Sequence, residues 1–221
     1  MPKPLVDIDG RPMIRRLIDI FMANDARRIS VIVNEHMTAV RQYIEALQPQ
    51  LDVPLTLVVK TTPSSMHSFY EVSRTFGTDA GGDGDGRFIL TTVDTIFREE
   101  DFTRYVQAFA QAPDDVDGCM AVTTYIDDEK PLYVDTDADG IITAFRDAPW
   151  EGVRYVSGGI YGLRPAAVDI LRRCIDEGVS RMRNYQRALV AGGQRLRAFD
   201  MGKILDVDHA GDIEKAREFL R

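Results

Sequence analysis

Apolar positions along the chain switch repeatedly between two spacings, and each switch marks an element. Ile14, Leu17, Ile18 and Phe21 recur at i, i+3, i+4 and i+7, the stripe of a helix with one buried face. Pro12 suits the first turn, where its missing amide hydrogen costs nothing, so the spacing predicts a helix over residues 12–24. Ile29–Val33 is a short β-branched run, read as a strand buried on both faces. Met37, Val40, Ile44 and Leu47 return to helical spacing. Leu55–Val59 then reads as a strand, residues 65–76 as a helix and residues 88–93 as a buried strand ending at Asp94. Alternation of this kind predicts parallel crossover units.

The second half changes character. Phe102, Tyr105, Val106 and Phe109 stripe one more helix, but residues 120–125, 132–134 and 141–145 follow one another as strands, with hairpins in place of crossovers. A mixed sheet is therefore expected. Tyr155–Leu163 reads as a strand, residues 165–177 as a helix and residues 196–207 as extended chain. Ile213, Ala216, Phe219 and Leu220 mark a closing helix. A chain of 221 residues with 44% hydrophobic and 28% charged positions fits one packed α/β domain over residues 1–221.

Charge narrows the partners. With 27 basic and 35 acidic residues the net charge is −8, which repels a phosphate backbone and argues against nucleic acid. No apolar run approaches the ~20 residues of a membrane span. Met1 to Gly10 lacks the basic and apolar regions of a signal peptide. A soluble, cytoplasmic protein without a membrane partner is expected, with homo-oligomerisation left open. Cys119 and Cys174 form no disulfide framework and read as reduced packing residues. His36, His67 and His209 have no nearby cysteine, which disfavours zinc.

Two segments imitate ligand sites. Gly81-Gly82-Asp83-Gly84-Asp85-Gly86 has alternate glycines but opens no helix, so it reads as a mobile loop and not as a phosphate cradle. Asp135, Asp137, Asp139 and Gly140 resemble the start of a calcium loop, but its twelfth position is Arg146, where calcium needs a bidentate Glu. A hairpin turn at Asp139-Gly140 explains them better.

Asp94 stands apart, because a carboxylate at the carboxyl end of a buried parallel strand lies where open α/β sheets bind ligands. Asp206-Val207-Asp208 repeats the device, with Val207 inward and both carboxylates outward. Aspartates from separate strand ends could share magnesium, which prefers oxygen ligands and keeps waters and substrate phosphates as its others. The competing reading is that Asp206 or Asp208 caps the last helix.

Several segments, in order, resemble the sugar nucleotidyltransferase and MobA-like nucleotidyltransferase superfamily. Lys3-Pro4-Leu5 with Gly10-Arg11-Pro12-Met13-Ile14 resembles its K-P-L and G-K/R-P-L/M-I segment. Thr92-Val93-Asp94 is similar to its strand-end metal aspartate, Asp139-Gly140-Ile141-Ile142 to its D-G-x-I/V hairpin, and Ser157-Gly158-Gly159-Ile160-Tyr161 to its N-A-G-I-Y strand. Asp206 to Ile213 resembles the closing D-I-D-T-P-E-D-L.

The resemblance implies a Rossmann-like nucleotidyltransferase fold, a mixed, mainly parallel sheet with helices on both faces. It implies Lys3 as the basic residue meeting substrate phosphates, and Asp94 and Asp208 as Mg2+ ligands. It places Ser64, Ser65, His67 and Ser68 near the nucleotide base, although helix capping by Ser64 or Ser65 explains those hydroxyls equally well. Gly159 would border the crevice. The implied reaction joins a nucleoside triphosphate to a phosphorylated small molecule, a sugar 1-phosphate above all, and releases pyrophosphate.

Three departures qualify this. The family opens with a strand and a glycine-rich phosphate loop ahead of K-P-L, whereas this sequence starts at Met1-Pro2-Lys3, so the first strand is expected to be missing. Ala148 stands where sugar enzymes carry the lysine of E-K-P, leaving Arg146 to supply charge. Ser157 replaces the Asn that meets the sugar. Two rivals follow: a non-catalytic nucleotide- or sugar-phosphate-binding protein, and a metal-dependent glycosyltransferase resting on Asp94 alone.

Overall fold

The computed structural model describes residues 1–76, 86–126 and 130–221. Most of the glycine-rich loop, residues 81–85, lies outside them. The chain opens with a 3-10 turn (Lys3–Leu5) and a hairpin of β1 (Asp7–Ile8) and β2 (Arg11–Pro12). There follow α1 (Met13–Ala23), β3 (Ile29–Val33), α2 (Thr38–Leu47), β4 (Leu55–Val59), α3 (Ser65–Ser73), β5 (Phe88–Thr91), β6 (Thr95–Ile96) and α4 (Glu99–Ala110). The second half contains β7 (Gly118–Thr123), β8 (Tyr133–Thr136), β9 (Ile142–Arg146), β10 (Tyr155–Leu163), α5 (Ala166–Asp176), α6 (Met182–Ala191), β11 (Leu196–Asp200), β12 (Leu205–Asp206) and α7 (Ala210–Leu220). Among the described residues no helix is long and apolar enough to cross a membrane.

β10 is the axis of the main sheet. Along one edge it pairs antiparallel with β7, which carries β11 in parallel beyond it. The other edge is shared by β5, opposite residues 160–163, and β8, opposite residues 155–156. The β8–β9 hairpin completes this side. Its turn is built by Asp137, whose carboxylate accepts the amides of Asp139 and Ile141 while Gly140 takes φ +76°. The oxygen that would have served calcium is committed to the turn.

The expected mixed α/β class is present, but the sheet is not mainly parallel. Among the described strands only β3–β4 and β7–β11 pair in parallel. The reason is β10, which runs against β5, β7 and β8 alike.

Alternating residues of β7 explain why its whole length is buried: Met120 and Val122 join one core, Cys119 and Ala121 the other. The first core receives Phe69 from α3, Leu171 from α5 and Tyr185 and Leu189 from α6. The second receives Ile20 from α1 and Phe102, Tyr105 and Phe109 from α4. Two fully buried tyrosines satisfy their hydroxyls, Tyr105 on the Cys119 carbonyl at 2.5 Å and Tyr185 on the Ala167 carbonyl at 2.8 Å.

Burial pushes the Cys119 thiol up to about 12, and burial also raises that of Cys174. A thiolate is the reactive species, so neither cysteine is expected to react with a disulfide reagent at pH 8 until the chain is denatured. Rapid labelling of one thiol in the native protein would contradict the packing of β7 or α5.

β3 and β4 form a separate parallel pair, packed on α1 and α2 through Ile14, Ile18, Val40 and Ile44. Among the described residues β3 has no partner besides β4, and β5 none besides β10. The two facing edges carry Val31, Ile32 and Leu90, which stay only half-buried despite their apolar character. A cavity of about 600 Å3 separates them.

Candidate active site

Three distant segments meet at one end of this cavity. The 3-10 turn, stiffened by buried Pro4, presents Lys3. β6 pairs antiparallel with β12, placing Asp206 opposite Thr95, and the Val207 amide donates to the Asp94 carbonyl at 3.0 Å. That ladder brings the turn bearing Asp94 beside Asp208. The Lys3 ammonium lies 3.5 Å from Asp94 Oδ2 and 2.6 Å from Asp208 Oδ1, linking residues 91 and 205 positions away in the chain.

Val207 is buried while Asp206 and Asp208 face outward, the alternation of extended chain. Asp208 is not the helix cap. The carboxylate of Asp212 accepts the amides of Asp208 and His209, and the His209 amide is the main cause of its depressed pKa. Asp208 therefore keeps its carboxylate for Lys3.

The Lys3 ammonium is held above its ordinary 10.5, chiefly by the hydrogen bond to Asp208, with partial burial acting against it and Asp94 adding attraction. With side-chain exposures of 42% for Lys3 and 62% for Asp208, water screens this pairing, and its stabilisation is small. What the arrangement does provide is a place where two carboxylates already hold a cation.

Among the described residues no group of three or more His, Cys, Asp or Glu converges. Two carboxylates match an ion that takes few protein ligands and completes its shell with water and phosphate oxygens. An all-oxygen donor pair of this kind suits a hard divalent cation better than zinc.

Pro4, Val93 and Asp206, each within two residues of this cluster, line the cavity, so Lys3, Asp94 and Asp208 stand at its rim. Ser65 and Ser68, from the start of α3, line it as well. Ser64 holds the N-cap position but makes no cap; its hydroxyl pairs with His67 Nδ1 at 2.9 Å, and neither residue lines the cavity. The first amides of α3 are thus left without a side-chain cap.

β10 forms the far wall. Against β7 its register slips between Ser157 and Tyr161, and Gly159 adopts φ +73° in the slipped stretch. A Cβ on Gly158 would fall 2.4 Å from the end of the Ile204 side chain and 3.1 Å from the Ala121 carbonyl, so a larger residue there would require both neighbours to shift. Ser157, Gly159 and Tyr161 all line the cavity. Burial pushes the Tyr161 hydroxyl up to about 12, so it remains a proton donor at neutral pH.

Arg146 is elsewhere. It is held by Asp135 at 2.9 Å and lies over the Trp150 ring at 4.8 Å, away from the cavity. The cationic residues that do line the cavity are Arg181 and Arg183, at the start of α6, together with buried Gln186. The helix α6 that carries them lies in a stretch, residues 178–195, without an assigned element in the sequence. Met182, Tyr185 and Leu189, at i, i+3 and i+7, are the signal that would have revealed the helix.

The family model described as nucleotidyl transferase matches residues 1–220. The fold is similar to that of an inositol-1-phosphate CTP transferase from T. maritima, with TM-score 0.73 and 17% identity over 100% of this chain and 89% of that one. It is similar to HddC from Yersinia pseudotuberculosis, with TM-score 0.70 and 17% identity over 99% of this chain and 90% of that one. A protein provisionally designated a glucose-1-phosphate thymidylyltransferase from Bacillus anthracis, in complex with sucrose, gives TM-score 0.77 and 17% identity over 99% and 86%. No curated protein matches the sequence.

Proposed function

Because the chain belongs to the nucleotidyl transferase family, we propose that it moves a nucleotidyl group from a nucleoside triphosphate to the phosphate of a small hydroxylated acceptor, a sugar 1-phosphate or a cyclic polyol phosphate. The observation that carries this reading is the convergence of Lys3, Asp94 and Asp208 at the rim of one cavity. The substrate classes named for the T. maritima and B. anthracis structures point the same way.

In the proposed reaction an oxygen of the acceptor phosphate attacks the α-phosphorus, the bond from that phosphorus to the bridging oxygen breaks, and pyrophosphate leaves with the electron pair. Asp94 and Asp208 would hold Mg2+, which when bound neutralises triphosphate charge and orients it. Lys3, an ammonium across the physiological range, donates hydrogen bonds to phosphate oxygens and offsets the charge that two anionic reactants bring together. The amides at the start of α3, with Ser65 and Ser68, take part of the nucleotide. Alignment and electrostatics supply the rate, and no side chain forms a covalent bond. A cytoplasmic setting, where nucleoside triphosphates are available, belongs to the same reading.

The gap between β3 and β5 completes it. An extended segment ahead of Met1, ending in a glycine-rich turn, would pair with both open edges and carry its amides to the triphosphate. Pro4 lines the gap, so such a segment would enter it directly. A second reading is a protein that binds nucleotide or sugar phosphate in the same cavity without turning it over. Pyrophosphate release separates the two. Release that requires both a nucleoside triphosphate and the phosphorylated acceptor supports transfer, whereas calorimetric binding of both without release supports the binder.

A further inference from the structure

The first turn of α6 carries features that the transfer chemistry does not use. Gln186 is 3% exposed, and its Oε1 accepts the hydroxyl of Ser157 at 2.9 Å. Its Nε2 has no hydrogen-bond partner among the described residues, yet it is not among the fully buried unsatisfied atoms, and the residue lines the cavity. A buried amide nitrogen with no protein partner that still reaches the cavity is a donor available to a ligand.

Arg181 supplies a second, independent observation. It occupies the N-cap position of α6 at φ +71° and ψ 136°, a conformation that strains any residue with a Cβ. No carboxylate of the described residues pairs with its side chain, whereas Arg183, next but one, is anchored to Asp147 at 2.6 Å. The Asn184 amide bonds the Arg181 carbonyl, but the amides of Met182 and Arg183 at the start of α6 have no side-chain cap. Cationic guanidinium, free amides and a helix N-terminus suit a phosphate, while Gln186, Ser157 and the Tyr161 hydroxyl suit neutral hydroxyl groups.

Resting on the transfer reading, we propose that Arg181 and the first turn of α6 bind the phosphate of the acceptor and that Gln186, braced by Ser157, selects acceptors bearing ring hydroxyls. This subsite takes the place of the charge that Arg146 cannot deliver from its position on Asp135. A site built to hydrogen-bond a hydroxyl discriminates strongly, because an acceptor lacking that hydroxyl leaves the buried amide unpaired.

The test is calorimetric titration of the full chain with glucose 1-phosphate, inositol 1-phosphate and inorganic phosphate, and separately with magnesium and a nucleoside triphosphate. Gln186→Leu is expected to weaken the tighter of the two hydroxylated ligands by roughly tenfold or more while leaving inorganic phosphate unchanged. Arg181→Ala, at an exposed position, is expected to weaken all three. Since Gln186 is buried, Ser157→Ala and melting curves check that the loss is not unfolding, and Ser157→Ala is expected to share the selectivity of Gln186→Leu. Unchanged affinity for the hydroxylated ligand in folded Gln186→Leu and in Ser157→Ala, or a parent chain that binds neither of them, overturns the subsite. If the parent chain still binds nucleoside triphosphate, only this assignment falls; loss of nucleotide binding and of pyrophosphate release removes the transfer reading itself.

Discussion

Asp94→Ala is expected to lower the rate of nucleotidyl transfer by about a thousandfold or more and to shift the melting temperature by no more than a few degrees. The two halves of this expectation have different sources. Stabilisation of charge at a transferring phosphorus by a bound cation is worth several kcal/mol, and every ~1.4 kcal/mol of barrier is tenfold in rate, so removing one of two ligands reaches this range. Stability follows another scale. The Asp94 side chain is 28% exposed and its contact with Lys3 is 3.5 Å, a pairing of the kind that contributes about 0–1 kcal/mol. For a chain of this size that corresponds to roughly 2–4 °C. Pyrophosphate release measured with saturating substrates and a melting curve of the same sample check both. A rate within tenfold of the parent would remove Asp94 from the chemistry. Asp135→Ala, which changes a carboxylate tied to Arg146 outside the cavity, should leave the rate unchanged.

Extending the chain ahead of Met1 by a short apolar strand that ends in a glycine-rich turn is expected to raise the melting temperature by about 10 °C. β3 offers five residues and β5 four along their facing edges, and the half-buried Val31, Ile32 and Leu90 lie against the gap. Each aliphatic residue moved from water into such a slot contributes roughly 1.5–3 kcal/mol, and ordering each backbone unit costs roughly 1–2 kcal/mol. New ladder hydrogen bonds add to the balance, leaving a net gain of several kcal/mol, and at 2–4 °C for each this gives about 10 °C. Ile32→Asp, which puts a charge on the β3 edge, is expected to cancel most of the gain. An extended chain that melts with the parent, and whose added amides exchange freely with solvent, would mean that nothing inserts between β3 and β5.

Much of the architecture was legible because single elements carry their own periodicity. The stripe of Ile14, Leu17, Ile18 and Phe21 became α1, and the uninterrupted apolar run of 29–33 became β3. Element ends were less so. The α3 helix stops at Ser73, where the hydroxyls of Ser73 and Thr75 donate to the carbonyls of Tyr70 and Val72 in competition with the amides of a further turn. Strand direction was not legible at all, since no local pattern says that β10 runs against three neighbours.

The site divides the same way. Asp94 and Asp208 drew attention as carboxylates at strand ends, and their motifs set them in order, but their meeting at Lys3 depends on the β6–β12 ladder, a contact between segments more than a hundred residues apart. Arg146 lies near Ala148 in the sequence, yet the hairpin turns it onto Asp135 and Trp150. Arg181 and Gln186 belong to no motif, and only the packing of Tyr185 and Leu189 on the sheet carries them to the cavity.

A divalent cation shared by Asp94 and Asp208 beside Lys3 can be seen by paramagnetic substitution. With Mn2+ and a nucleoside triphosphate bound, one tight manganese signal is expected in the parent chain, lost in both Asp94→Ala and Asp208→Ala and retained in Asp137→Ala. Tight manganese binding that survives either of the first two substitutions would contradict it.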